Sequence, residues 1–182
     1  MEANDKTIHF TPETEERMRN LLKRYPADRS KSALIPILHL AQAESDGWLS
    51  VPVMNRVAEL LGLRPIEVYE VASFYTMFAL EPRGRCLIEV CRTSSCWMRG
   101  AYDIIAHLEN RLGIRAGETT PDGRFTLKTV ECLGSCGTAP MLQIGERYYE
   151  NLTADYVDRI LDEHRDTEGY SRYVDETTFR TL

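Results

Sequence analysis

Two pairs of cysteines constrain this chain more than anything else in it. Cys91 and Cys96 enclose four residues, Cys132 and Cys136 enclose three, and thirty-five residues separate the pairs. Each pair follows an extended apolar run: Cys86-Leu87-Ile88-Glu89-Val90 before the first, Phe125-Thr126-Leu127-Lys128-Thr129-Val130 before the second. Both runs are β-rich and partly alternating, which predicts a strand that delivers cysteines to the loop at its end. Two such loops at the same edge of one sheet bring four sulfurs together.

Four convergent thiols have three chemical readings. The chain begins Met1-Glu2-Ala3-Asn4-Asp5-Lys6 with no basic stretch, apolar stretch or cleavage pattern of a secretory leader. The expectation is a reducing compartment, where structural disulfides are rare. Tetrahedral zinc also takes four thiolates, but zinc ribbons use shorter spacers and staple small domains, and 182 residues can bury an ordinary core. A [2Fe–2S] cluster takes two thiolates on each iron, although this spacing is not the plant-type one. Gly134 and Gly137 let backbone pass close to such a group, and Thr93, Ser94 and Ser95 supply hydroxyls and amides for sulfur. Spacing and composition leave zinc and iron–sulfur both open.

The motif Cys91-x4-Cys96, followed by Cys132-x3-Cys136 within Glu131-Cys-Leu-Gly-Ser-Cys-Gly-Thr-Ala-Pro140, resembles the thioredoxin-like [2Fe–2S] ferredoxin family. The similarity is closer still to the small iron–sulfur subunit of the NADH-oxidising module of respiratory complex I, the NADH:quinone oxidoreductase. Gly47-Trp48-Leu49, Val71 to Phe78, Gly117 to Gly123 and Tyr148-Tyr149-Glu150-Asn151-Leu152 match segments of that family, so the resemblance covers about residues 10–166. It implies that Cys91, Cys96, Cys132 and Cys136 are the cluster ligands, and it leaves Cys86 outside the set. It further implies one [2Fe–2S] cluster per chain and an adjacent flavoprotein subunit that binds NADH and FMN. The setting it implies is cytoplasmic, peripheral to the inner membrane as part of a larger complex.

Charge and composition narrow the alternatives. The formal charge is −6 and no dense Lys/Arg cluster occurs, which argues against a nucleic-acid surface. No apolar run approaches the roughly twenty residues that a membrane helix needs. No Gly-x-Gly-x-x-Gly follows a strand, no phosphate loop is present, and no Cys-x-x-Cys suggests disulfide exchange. Hydride chemistry is therefore expected on a partner.

Taken in order, the chain predicts an α+β / α/β architecture: an N-terminal four-helix unit over 1–80, a thioredoxin-like domain over 81–166 and a C-terminal tail over 167–182. Thr11-Pro12 starts a helix that runs to about Tyr25, where Pro26 stops it. A second helix spans about Lys31 to Ser45, with Pro36 predicting a kink or a start, and carries His39 as an ordinary partly buried histidine. Ser50 caps a third, which ends at Leu61 before Gly62. Arg64-Pro65 opens a fourth to about Phe78, whose stripe of Val68, Val71, Ala72, Tyr75 and Phe78, widened by Phe74 and Met77, predicts a helix buried between neighbours.

After the linker Glu81 to Gly84 the pattern becomes strand Cys86–Val90, helix Arg99–Leu112 with Tyr102, Ile105, Ala106 and Leu112 inward, and strand Phe125–Val130. A hairpin through Gly145-Glu146 and a last helix from Ala154 to about His164 complete the order β-α-β-β-β-α. The tail, with Tyr170, Tyr173, Val174 and Phe179, reads as disordered or as an arm that orders on a partner.

The expected function is electron transfer between that cluster and a flavin, with Arg92 and Arg99 placed to favour the reduced state electrostatically. Alternatives are the diaphorase subunit of an NAD-linked hydrogenase or formate dehydrogenase, a free-standing ferredoxin, and a zinc-stapled interaction domain.

Overall fold

The computed structural model describes residues 8–171. Within them the chain divides into one compact unit up to Pro82 and a second from Arg83 onward.

The first unit is helical. Helix α1 spans Pro12–Leu22, and the Thr11 hydroxyl accepts the Thr14 amide at 3.3 Å, with proline at the first helical position. It ends three residues earlier than the apolar pattern suggests. The amides of Arg24 and Tyr25 turn back to the carbonyls of Leu21 and Leu22, tightening the last turn, and Pro26 keeps Tyr25 out of the helix. A 3-10 turn over Ala27–Ala33 leads into α2, Leu34–Glu44. The expected helix from Lys31 is thus corrected: Pro36 lies in the first turn of α2, where an amide has no intrahelical partner to lose. Helix α3, Val51–Leu61, is capped by the Ser50 hydroxyl and ends at Gly62, whose φ of 64° an L side chain rarely adopts.

Helix α4 spans Pro65–Phe74, and here the structure departs furthest from the sequence pattern. Only Val68 and Ala72 of this helix are buried; Phe74 is 77% exposed and Tyr75 39% exposed, while Phe78 enters the core from the following loop. The helix stops because the next segment is held elsewhere. The buried Gln42 side chain donates to the Met77 carbonyl at 3.1 Å and accepts the Ala79 amide at 2.8 Å, and the Leu49 amide donates to the Ala79 carbonyl at 2.7 Å. These bonds satisfy the loop backbone and cannot coexist with helical dihedrals through Phe78. Leu34, Leu38, Ala41, Leu49, Val57 and Val68, each at most 1% exposed, centre the core of this unit. His39 is half-buried with its ring 4.9 Å from that of Phe78.

The second unit is a four-stranded sheet with helices. Strands β1 (Cys86–Cys91), β2 (Phe125–Val130), β3 (Leu142–Ile144) and β4 (Arg147–Tyr149) lie in the order β2-β1-β3-β4. β1 and β2 run parallel, whereas β3 is antiparallel to both β1 and β4. A parallel pair needs a crossover, and α5 (Ser94–Met98) with α6 (Ala101–Leu112) supplies it. A final helix, α7 (Ala154–Glu163), follows the hairpin, with the Thr153 hydroxyl accepting the Tyr156 amide at 3.2 Å.

The helix expected over Arg99–Leu112 is α6, which starts two residues later because Gly100, at φ 90°, separates it from the short α5 before it. Ala101, Ile104, Ile105 and Leu108 are buried, whereas Tyr102 and Ala106, expected inward, are exposed. Ile88, Val90, Leu108, Leu127, Leu142 and Val157, all fully buried, form the centre of this core. Glu89, a buried acid on the central strand, stands in register between Lys128 and Gln143.

The described part of the tail ends at Ser171, whose amide donates to the Arg85 carbonyl at 2.6 Å while its hydroxyl accepts the Leu87 amide at 3.0 Å. Tyr173, Val174 and Phe179 lie outside the described residues.

Candidate metal centre

The parallel ladder positions both cysteine pairs. Cys91, the last residue of β1, is opposite Val130, the last residue of β2, and the Arg92 amide donates to the Val130 carbonyl at 3.1 Å. Both segments therefore leave the sheet at one edge. After Cys91, Thr93 occupies the N-cap position of α5, and that short helix carries Cys96 back toward the sheet. After Val130, the chain passes Cys132, turns at Gly134 with φ 92°, and enters a 3-10 turn over Cys136–Thr138.

All four predicted site residues are present as free cysteines at this edge, and Cys86 is buried at the far end of β1. Cys91 and Cys96 are buried, Cys132 and Cys136 exposed, and the sulfurs of Cys132 and Cys136 are 3.5 Å apart. No group of three or more His, Cys, Asp or Glu side chains among the described residues closes around a single-ion position. The Cys96 thiol is a hydrogen-bond partner of Cys91 as Cys136 is of Cys132, and a two-iron cluster takes its thiolates two to each iron.

The donors around the sulfurs test the fit to such a group. Burial alone would push the Cys91 thiol up, but the hydroxyl and amide of Thr93, the amide of Leu133 and the Cys96 thiol overcome it and bring it down. The Thr93 hydroxyl lies 3.4 Å from the Cys91 sulfur. Cys132 is lowered by the Gly134 amide, the Cys136 thiol and the Thr93 hydroxyl. Cys96 is pushed up to about 11 by burial and then by Cys91, against the Met141 amide, which favours its thiolate. Cys136 is raised by Cys132, with the Ser95 hydroxyl opposing. Within each pair one thiol ionises before the other, as two close like charges require.

Thr93 of the first loop thus reaches a sulfur of each pair, and Ser95 of the first loop reaches a sulfur of the second. Amides and hydroxyls aimed at sulfur are the donor set that an anionic thiolate cluster accepts.

The thioredoxin-like [2Fe–2S] ferredoxin family matches residues 18–165. The chain belongs to that family. Among curated relatives of this thioredoxin-like ferredoxin, an NADH-quinone oxidoreductase subunit of Rickettsia conorii is 47% identical over 78% of this chain and 85% of the relative. The mitochondrial NADH dehydrogenase [ubiquinone] flavoprotein 2 of Dictyostelium discoideum is 44% identical over 90% of this chain and 68% of the relative. The expected kinship with subunits of NADH:quinone oxidoreductases is borne out by these relatives. Among solved structures, an NAD+-reducing [NiFe]-hydrogenase in the air-oxidised state superimposes with a TM-score of 0.63 at 25% identity, over 72% of this chain and 22% of the hydrogenase chain. No helix among the described residues of this family member is long and apolar enough to cross a membrane.

Several side-chain contacts at the sheet edge of this ferredoxin-family chain escaped the sequence reading. Arg92 donates to Glu131 at 3.0 Å, so one of the two arginines expected to act on the cluster already faces a carboxylate. The signal was present: Arg92 and Glu131 are the next residues after a pair of strands in parallel register. Arg99 is exposed at the end of α5, and no ion pair of its side chain occurs among the described residues. Tyr148 and Glu150 contact the second cysteine loop: Tyr148 donates to the Leu133 carbonyl at 2.6 Å, and Glu150 accepts from the hydroxyls of Ser135 and Thr138, the latter at 2.6 Å.

Proposed function

We propose that this chain is the iron–sulfur electron-transfer subunit of the NADH-oxidising module of an NADH:quinone oxidoreductase. It exchanges single electrons with the FMN of a partner flavoprotein subunit that also binds NADH. The observation that carries this reading is the pair of cysteine loops leaving one sheet edge from strands in parallel register, within a chain of the thioredoxin-like [2Fe–2S] ferredoxin family.

Cys91, Cys96, Cys132 and Cys136 would hold the cluster, two on each iron. When bound, the cluster supplies a one-electron acceptor and donor, which suits a flavin that takes up a hydride and releases its electrons singly. The chain does the rest. Buried Cys91, at the end of β1, and buried Cys96, in α5, anchor one side, and exposed Cys132 and Cys136 leave the other side open to a partner's flavin. Amides of Leu133, Gly134 and Met141 and the hydroxyls of Thr93 and Ser95 favour thiolate over thiol at the ligand sulfurs. The assembly would lie on the cytoplasmic side, peripheral to the inner membrane.

Iron and acid-labile sulfide on anaerobically purified protein, with an electron paramagnetic resonance spectrum after dithionite reduction, test the reading. Two irons, two sulfides and one spin-one-half signal per chain support it. Stoichiometric zinc without labile sulfide overturns it in favour of a zinc-stapled interaction domain.

A second reading is the diaphorase subunit of an NAD-linked hydrogenase, or likewise of a formate dehydrogenase. The superposition on the NAD+-reducing hydrogenase favours the hydrogenase form. Purification of the tagged chain from its native cells separates the readings: a flavoprotein assembly that reduces quinone with NADH supports the first, and one that carries hydrogenase or formate dehydrogenase subunits supports the second.

A further inference from the structure

The β3–β4 hairpin ends beside the second cysteine loop and holds it at three points. The Tyr148 hydroxyl donates to the Leu133 carbonyl at 2.6 Å. The Glu150 carboxylate accepts from Thr138 at 2.6 Å and from Ser135 through the same oxygen. The Ser135 and Thr138 hydroxyl oxygens lie 2.7 Å apart where they converge on that carboxylate. Leu133 and Ser135 lie between Cys132 and Cys136, so two of the three contacts fall within that five-residue loop and the third on the 3-10 turn that follows it. Leu133 is partly buried against the hydrophobic cluster that includes Cys91, Cys96 and Met141, but both cysteines of the loop are exposed and Gly134 at φ 92° gives it no side chain to pack. A loop with few buried contacts samples many conformations unless hydrogen bonds restrict it.

We propose that Glu150 and Tyr148 are positioning residues that hold Cys132 and Cys136 ready to ligate the cluster, with Glu150 also placing a negative charge beside it. This rests on the reading that these cysteines are cluster ligands. The three bonds act on different parts of the loop. Tyr148 fixes the peptide carbonyl of Leu133, the residue whose amide reaches Cys91, and so ties the second loop to the first. Glu150 fixes the Ser135 side chain, one residue before Cys136, and Thr138 at the end of the 3-10 turn. A glutamine at position 150 keeps a carbonyl oxygen that can accept both hydroxyls and discards the charge. An alanine discards both. The two substitutions therefore separate pinning from electrostatics.

The test uses the full chain with its cluster, as the wild type and as Glu150→Gln, Glu150→Ala and Tyr148→Phe. Three quantities are measured: iron and labile sulfide per chain, the reduction midpoint, and hydrogen exchange of the amides of residues 133–138. Glu150→Ala and Tyr148→Phe are expected to raise amide exchange in the loop several-fold and to speed loss of the visible absorbance of the cluster. Glu150→Gln is expected to restore exchange and cluster retention toward wild type while moving the midpoint upward, because a nearby negative charge is gone. Wild-type exchange and retention in both Glu150→Ala and Tyr148→Phe would overturn the inference and leave the cluster reading standing. A midpoint unmoved by Glu150→Gln would overturn the electrostatic part. A wild-type chain that takes up no iron and sulfide would overturn the cluster reading, and this inference with it.

Discussion

Cys91 and Val130 face each other as the last residues of two parallel strands, and that register decides where the second cysteine pair begins. Because Cys132 lies two residues beyond Val130 and Cys96 five beyond Cys91, the two short loops project from one edge and bring four thiols near each other. A one-residue slip in the ladder would flip every β2 side chain to the other face and carry the second loop away. The buried residues Ile88 and Leu127, in register on β1 and β2, are what prevent it.

Replacing any one of Cys91, Cys96, Cys132 or Cys136 by serine is expected to abolish the cluster or cut iron content by more than half. A hard hydroxyl is a poor substitute for a soft thiolate ligand. Cys86→Ser is expected to leave two irons per chain. The Cys86 thiol is buried, and burial pushes it up to about 12, so it stays neutral at physiological pH. Its hydroxyl replacement should lower stability by ~1–2 kcal/mol for an unpaired buried polar group. Metal analysis and urea unfolding of the same samples check both statements.

Arg92 and Arg99 flank the first pair but should not act alike. Glu131 partners Arg92 at 3.0 Å, and Arg99 has no carboxylate on it among the described residues. Arg99→Glu is expected to lower the cluster midpoint by ~10–40 mV, the range that an exposed charge contributes. Arg92→Gln should move it less, since its neutralising acid changes environment at the same time. A redox titration at low ionic strength reads the shift, and added salt should shrink it.

His39 makes the first unit sensitive to acid. Burial lowers its pKa from 6.5 to about 4, so the folded protein keeps the ring neutral while the unfolded chain binds a proton as pH falls below 6.5. Stability is therefore full above that pH and declines as pH falls toward about 4. The interval is worth at most ~3 kcal/mol, and solvent screening at a half-buried ring reduces the expected loss to ~1–2 kcal/mol. His39→Leu should show a smaller drop in urea midpoint between pH 7.5 and pH 5 than the wild type does.

Phe74 and Leu38 look equally apolar in the sequence and should respond very differently to truncation. Phe74 is 77% exposed, so Phe74→Ser is expected to change stability by less than ~0.5 kcal/mol. Leu38 is fully buried, so Leu38→Ala should cost ~2–5 kcal/mol. Denaturant unfolding of the two variants checks the contrast.

Local signals were legible wherever local chemistry sets the outcome. Thr11, Ser50 and Thr153 cap helices through their own hydroxyls, Gly62 ends one, and β2 spans the expected Phe125–Val130. The hairpin turns where Gly145-Glu146 predicts, because a two-residue connection between short strands leaves little choice of register. The four cysteines stood out by spacing and company, and the family resemblance narrowed their chemistry.

The sequence by itself determined that two strands end in cysteine loops, that helices precede a mixed sheet, and which family the chain resembles. These follow from periodicity, caps and motif, which act over a few residues. Only the tertiary structure decided that α4 stops at Phe74, that a separate short helix, α5, carries Cys96, and that Tyr148 and Glu150 reach the second cysteine loop. The first and last of these depend on partners far along the chain: Gln42 for the loop over Met77 to Ala79, and Leu133, Ser135 and Thr138 for the hairpin end. A hydrogen bond between residues more than ten apart is decided by where the backbone carries them, and no pattern read within a local window contains that information.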